Sequence, residues 1–132
     1  MTKENFSRCV AVAHSNQIKE YPMLIVSVVF EFVPGGFERI KSEIFKAIEN
    51  SRKEEGAQIY DWALDVTEPN RAIIFEVWDS QASLDAHFTH PYMDTLVTAL
   101  SAANIRGDIK NYSAEVYDVS GKRDMGFVLP TK

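Results

Sequence analysis

The sequence predicts an α+β domain of the ferredoxin-like type, with the element order β-α-β-β-α-β. Three observations predict it: a segment dense in Val, Ile and Phe, then apolar residues at helical spacing, then a proline turn between two further strand-like segments. With 132 residues, the chain is long enough for one domain with a single core. We interpret residues 1–22 as an N-terminal extension, 23–119 as the domain and 120–132 as a C-terminal tail.

The first strand is predicted over 23–32, where nearly every residue is apolar. Strands that are wetted on one face alternate, so an almost unbroken apolar run predicts a strand that is covered on both faces. In the ferredoxin-like arrangement the helices cover only one face of the sheet. We therefore expect a second copy of the chain to cover the other face, so that a homodimer forms a dimeric α/β barrel.

The segment after the first strand carries apolar residues at steps of three and four: Phe37, Ile40, Ile44, Ala47 and Ile48. This spacing predicts an amphipathic helix over 36–54. Gly56 is expected to end that helix in a left-handed cap. A further helix is expected within residues 1–22, ending at Pro22, because the residue before a proline avoids the helical conformation.

Two strands, over 58–66 and 72–78, flank the turn residues Glu68-Pro69-Asn70, and this predicts an antiparallel hairpin. Ser80 is a good N-cap for a helix over 81–88.

Pro91 suits the first turn of another helix, over 91–104. The predicted buried stripe of that helix is Met93, Leu96, Val97, Leu100 and Ala103. A last strand is predicted over 112–119, and the residues 127–129 are apolar enough to pack against some surface.

Composition excludes several functional classes. Lys and Arg number 14 and Asp and Glu number 19, which gives a net charge of −5. Without a basic cluster, such a chain is a poor ligand for nucleic acid or for an anionic membrane surface. The single cysteine, Cys9, excludes an internal disulfide framework and a cysteine-based zinc site. The apolar run over 23–33 is too short to span a bilayer and no signal peptide is evident, so we expect a soluble, cytoplasmic protein.

An ordered set of short motifs runs from the third strand into the last helix. Residues 75–80 read FEVWDS, 84–87 read LDAH and 91–93 read PYM. The set resembles the antibiotic biosynthesis monooxygenase family, whose pattern is E-x-W-x-S, an apolar residue, A-H, and then a helix that opens on proline or histidine. Upstream, Glu55-Gly56 with Tyr60, and Pro69 in the hairpin turn, also resemble that family.

The resemblance covers about 23–118 and implies a dimeric α/β barrel. It implies a cofactor-independent oxidation by O₂ of a small quinol, phenolic or anthrone-like substrate, since the best-known members are quinol and anthrone monooxygenases. Tyr92 departs from the pattern, because quinol-type members have His there. Other members degrade haem or the autoinducer-2 signal, so the resemblance indicates the fold better than the reaction.

Two other functions stay open at this point. One is a non-catalytic dimer that binds an apolar ligand. The other is an enzyme that degrades a small, phosphorylated, autoinducer-2-like signal, which requires cations in the pocket. Arg71 and Arg106 are the cations that the sequence places nearest to such a pocket.

His87 is the candidate catalytic base. It follows Leu84 by one turn and is therefore expected to face inward, and an ordinary imidazole pKa of about 6.5 suits proton transfer near neutral pH. The alternative is a structural histidine that ties the helix to the sheet.

The candidate substrate-binding residues lie on the strands and at the start of the last helix. Trp78 and Glu76 share one strand face, so Trp78 is expected to wall the pocket and Glu76 to lie deeper. Tyr60 and Tyr92 are candidate hydrogen-bond donors to a substrate oxygen. For each of them, core packing is the alternative.

No cofactor is expected. Pro91 interrupts the helix after His90, so the imidazoles of His87 and His90 need not converge on one metal ion. The last helix offers Leu96 and Val97 where the haem-degrading members carry a histidine ligand. The chain also lacks nicotinamide, flavin and phosphate-loop motifs.

Overall fold

The computed structural model describes residues 23–131. Its elements are, in chain order, β1 (Met23–Phe32), α1 (Gly36–Arg39), α2 (Lys41–Ser51), β2 (Ala57–Leu64), β3 (Arg71–Trp78), α3 (Gln81–His87), α4 (Pro91–Ile105) and β4 (Ile109–Val119). The strands form one antiparallel sheet in the order β2-β3-β1-β4. This confirms the predicted ferredoxin-like fold, including the β2–β3 hairpin. The helix expected within residues 1–22 lies outside the described residues.

The helix predicted over 36–54 is divided and shorter. Ile40 has a φ of −121°, which separates α1 from α2, and α2 ends at Ser51. The left-handed cap expected at Gly56 is wrong, because the φ of Gly56 is not positive. Glycine is needed there for a different reason: a β-carbon at Gly56 would overlap the side chain of Ser83 in α3. This close approach holds the turn after α2 against α3.

The second predicted helix is broken in two, as expected. Ser80 Oγ accepts a hydrogen bond from the backbone N–H of Ser83 at 3.1 Å and caps α3. Pro91 occupies the first turn of α4. The burial predicted for Val97 is wrong. Val97 is half-exposed, because it borders an open groove that Phe30 of β1 and Tyr112 of β4 also line.

The two faces of the sheet differ in burial. Side chains of β1 on the helix side are buried: Leu24, Val26 and Phe32. On the opposite face Met23 and Val77 form a small buried cluster at one end, whereas Phe75 and Tyr117 stay exposed. Within one chain the helices cover one face of the sheet only, and cover of the other face by a second copy stays a prediction.

The strand registers bring the candidate residues to one end of the sheet. Trp78 pairs with Leu24 of β1 and with Ala57 of β2, and Leu24 also pairs with Asp118 of β4. We call this end, where β3 and β4 finish and β1 and β2 begin, the Trp78 end. Its helix side carries a buried cluster that includes Leu24, Tyr60, Trp78 and Leu84.

An ion-pair cluster closes the opposite end of the sheet. Arg39 donates two hydrogen bonds to the Asp108 carboxylate, from Nε and from Nη2, each at 3.0 Å. Arg106 Nε donates a third to it at 2.6 Å. Together, and chiefly through the hydrogen bonds with Arg39, these lower the pKa of Asp108 to about 2. The cluster ties α1 to the segment between α4 and β4.

The tail after β4 has no regular secondary structure over 120–131. Its apolar side chains are 69–87% exposed: Met125, Phe127, Val128 and Leu129. Within one chain, the residues 127–129 find no surface to pack against. Within residues 23–131, none of the helices is long and apolar enough to cross a membrane.

Candidate active site

An open cavity of about 460 Å³ lies at the Trp78 end of the sheet, on its helix side. The turn after α2, the end of β3, and the helices α3 and α4 each contribute to its walls. The polar and aromatic residues that line it are Asn50, Lys53, Glu54, Glu55, Trp78, Ser83, His90 and Tyr92. The close packing of Gly56 on Ser83 sets the distance between these walls.

Trp78 and Glu76 form a hydrogen-bonded pair on β3. Trp78 is fully buried and belongs to the cavity wall, and its indole N–H donates to Glu76 Oε1 at 2.8 Å. Glu76 is also buried and does not line the cavity. Burial raises the pKa of Glu76 to about 7, against the opposing effect of the Trp78 hydrogen bond and with a smaller contribution from the charge of Glu54. In this geometry Glu76 holds the indole ring in a fixed orientation.

His87 faces inward, as predicted, and is 1% exposed. Its Nδ1 lies 2.8 Å from Glu54 Oε2, and its ring centroid lies 4.7 Å from that of Trp78. Because a carboxylate accepts the bond, Nδ1 carries the proton of the neutral ring and Nε2 is the free acceptor. Nε2 is buried without a hydrogen-bond partner among residues 23–131. Burial lowers the pKa of His87, although Glu54 acts to raise it, so the neutral form is favoured.

Glu54 joins these groups, and the sequence analysis did not single it out. Its Oε2 also accepts a hydrogen bond from the Tyr92 hydroxyl at 2.6 Å, and its Oε1 lies 3.4 Å from His90 Nε2. The side chain is 10% exposed and lines the cavity. The motif Glu54-Glu55-Gly56 was a signal at this position. The partner His87 is 33 residues away, however, so spacing alone does not reveal the contact.

The two tyrosines occupy different environments. Tyr92 lines the cavity and stacks on His90, with ring centroids 5.0 Å apart. Burial and the hydrogen bond to Glu54 raise the pKa of Tyr92, whose hydroxyl proton is already donated. Tyr60 is buried in the core beside His87 and does not line the cavity, and burial raises its pKa to about 12. The structure therefore brings Tyr92 to the cavity and leaves Tyr60 behind it.

The cations predicted to lie nearest to the pocket are elsewhere. Arg71 pairs with Asp65 at 3.0 Å and Arg106 belongs to the Asp108 cluster, and neither lines the cavity. Lys53 lines it instead, because the helix α2 ends early and the chain turns towards α3.

The histidines converge more than the sequence suggested. His87 and His90 both contact Glu54, despite the interruption at Pro91. Residues 23–131 nevertheless contain no group of three or more His, Cys, Asp or Glu side chains placed to hold a metal ion.

Comparison with known proteins identifies the family. A family model described as "Antibiotic biosynthesis monooxygenase" matches residues 23–99, from the start of β1 well into α4. The chain belongs to this family. All the candidate residues of the cavity fall inside the matched range.

Individual proteins also resemble this chain, one in sequence and others in fold. The uncharacterized protein sll1783 of Synechocystis is 46% identical over 50 residues, which are 38% of this chain and about a third (34%) of that protein. Protein SO0527 of Shewanella oneidensis has a TM-score of 0.64 at 17% identity, covering 78% of this chain and 95% of that one. A conserved protein of Methanosarcina mazei Go1 has a TM-score of 0.64 at 21% identity, covering 73% and 91%. Such low identities show a shared fold, not a shared substrate.

Proposed function

We propose that this family member is a cofactor-independent monooxygenase that uses O₂ to oxidise a small quinol, phenol or anthrone-like ring. The observation that carries the proposal is the Glu54–His87 pair beside Trp78, in which a neutral imidazole is held through Nδ1 while Nε2 has no partner. A buried acceptor without a donor is the group that a substrate hydroxyl would satisfy. Family membership supports the reaction class, and the aromatic wall supports the substrate class.

Such a ring supplies its own electrons. With hydroquinone as the example, one O₂ converts the ring to a hydroxyquinone and one water, so that one oxygen atom enters the ring and the other leaves as water. Removal of a proton yields an anion that passes an electron to O₂ directly. The protein must take that proton, exclude water and hold the anion close to O₂.

His87 Nε2 is the proposed proton acceptor. A phenol has a pKa of about 10 and an ordinary imidazole about 6.5, and at about 1.4 kcal/mol per unit the transfer costs about 5 kcal/mol. Burial keeps His87 neutral near pH 7 but adds to this cost, because it lowers the pKa of the acceptor. A positive charge beside the oxyanion offsets part of this cost, and Lys53 lines the cavity.

The substrate ring is proposed to stack on Trp78, whose orientation Glu76 holds. Trp78 is fully buried, so its ring becomes available to the substrate only when the neighbouring wall moves. His87 does not itself line the cavity, so the wall must move slightly for the substrate to reach Nε2. Phe88 packs against the imidazole and is half-exposed, and it is the side chain that can shift without opening the core.

We also propose that the protein works as a homodimer with the open sheet faces packed together. Phe75 and Tyr117 are exposed on the face that the helices leave uncovered, and a second sheet would bury them. Sedimentation at micromolar concentration is then expected to give about 30 kDa, twice the 15.0 kDa of the chain. A 15 kDa species at every concentration would contradict the dimer.

The cavity favours an uncharged ring over a phosphorylated signal. Lys53 lines it, but the carboxylates of Glu54 and Glu55 line it too, and they repel a phosphate group.

Oxygen uptake and product mass with menadiol, a catechol and an anthrone test the function. We expect kcat/KM to rise with pH through an apparent pKa below 6.5, and His87→Ala to lower it by about 10²-fold or more. Glu54→Gln keeps an acceptor for Nδ1 but removes the charge, so it should cost less and move the apparent pKa lower still. A greater loss in Glu54→Gln than in His87→Ala would assign the base to Glu54. No turnover with any substrate, together with tight binding of menadione, would indicate a binding protein instead.

A further inference from the structure

The C-terminal tail carries apolar side chains that its own chain does not cover. Met125, Phe127, Val128 and Leu129 are 69–87% exposed, although they follow a well-formed sheet directly. A contiguous apolar segment that stays exposed on one chain indicates that another surface covers it.

The tail begins at the end of the sheet where the cavity lies. Asp118 and Trp78 both pair with Leu24, so they are two strand spacings, or about 10 Å, apart. From Ser120 to Leu129 the chain can extend about 30 Å. The segment before the apolar residues is therefore long enough for them to reach a cavity at this end of the sheet.

The sheet edges indicate which copy the tail reaches. β2 and β4 are the two edge strands, and they run in opposite directions. A two-fold axis along the strands places β4 of one copy antiparallel beside β2 of the other, which covers both edges. β2 begins at Ala57, directly after Gly56 of the cavity rim, so the tail of one copy then starts beside the cavity of its partner.

We propose that residues 125–129 of one copy cover the cavity of a second copy and exclude water from it. The role of residues 125–129 in excluding water rests on the proposed function, because the anion formed in that reaction must be kept from solvent. The position of the cover does not depend on that function and is tested separately.

Disulfide trapping tests the position in a Cys9→Ser background. A chain with Glu55→Cys, on the cavity rim, is mixed with a chain that carries Val128→Cys and oxidised mildly. We expect a covalent dimer of about twice the 15.0 kDa chain mass. Glu68→Cys, in the exposed loop at the opposite end of the sheet, is the matched control and should not link. No link with Glu55→Cys would overturn the proposal.

A chain that carries both Glu55→Cys and Val128→Cys shows whether the link forms between two copies or within one chain. A covalent dimer supports a cover in trans, whereas an internally linked monomer would show that the tail covers its own cavity and would overturn the proposal.

The covering role is measured by menadione binding, which needs no turnover. The double variant Phe127→Ser, Leu129→Ser should raise the dissociation constant of menadione about tenfold, which corresponds to about 1.4 kcal/mol. Val66→Ser, which changes a 99% exposed side chain in the β2–β3 loop, is the control and should leave it unchanged. Unchanged affinity in the tail variant would refute the cover. Correct disulfide links without oxygen uptake on any substrate would instead refute only the proposed oxidation.

Discussion

Replacing Glu76 with glutamine should stabilise the protein in alkaline solution and leave its stability nearly unchanged in acid. Glu76 is buried, and its Oε1 accepts the indole N–H of Trp78. Glutamine has almost the same shape and keeps an oxygen acceptor for that indole. The substitution therefore removes the ionisation of Glu76 and little else.

The magnitude follows from the pKa. Burial raises the pKa of Glu76 from an ordinary value of 4.5 to about 7. The unfolded chain thus loses this proton at lower pH than the folded chain, so ionisation weakens the folded state as pH rises through that window. A difference of about 2.5 units at 1.36 kcal/mol each gives about 3 kcal/mol above pH 8 and almost nothing near pH 4.

Urea unfolding at fixed protein concentration measures this difference. The free energy of unfolding of Glu76→Gln should exceed that of the natural protein by about 3 kcal/mol at pH 8.5, and the two should meet near pH 4. Glu68→Gln, which removes an exposed carboxylate from the β2–β3 loop, controls for the change in net charge. A constant difference between Glu76→Gln and the natural protein at all pH values would refute the reasoning.

Three further predictions concern the cavity and the opposite end of the sheet. Trp78→Phe should raise KM more than it lowers kcat in oxygen-uptake assays, because stacking holds substrate and transition state alike; a loss confined to kcat would contradict that role. Tyr92→Phe removes a hydrogen bond from Glu54, which then binds His87 more strongly, so the apparent pKa in the pH profile of kcat/KM should rise; an unshifted profile would refute the coupling. Asp108→Asn should lower the Tm at pH 7, and the gap should narrow as pH falls from 3.8 towards 2. There the natural carboxylate, whose pKa is lowered to about 2, is itself about half protonated, so a gap as large at pH 2 as at pH 7 would argue against the ion pairs.

The element order was predictable because the signals behind it are local. The hairpin turn at Pro69, the cap at Ser80 and the helix start at Pro91 each depend on residues within one turn of themselves. Strand alternation likewise placed Glu76 and Trp78 on one face before any contact was known. In each case the physical cause acts within a few residues of chain.

The errors occurred where two distant segments meet. Gly56 was expected to need a positive φ, whereas its small size is required by Ser83 of another helix. Val97 fits the apolar spacing of α4, but an open groove separates it from the strands β1 and β4. A helical period identifies an apolar face but says nothing about how much of it a neighbour covers.

Local signals in the sequence were enough to predict the order of elements, the face of β3 that carries Trp78, and the inward direction of His87. Only the tertiary structure brought Glu54 to His87 across 33 residues, together with Tyr92 and His90. The hydrogen bond between Glu54 and His87 forms only because the turn after α2 packs beside α3 and α4. That position is set by close packing at Gly56 and by the sheet registers, and neither is encoded in the spacing of the residues that meet.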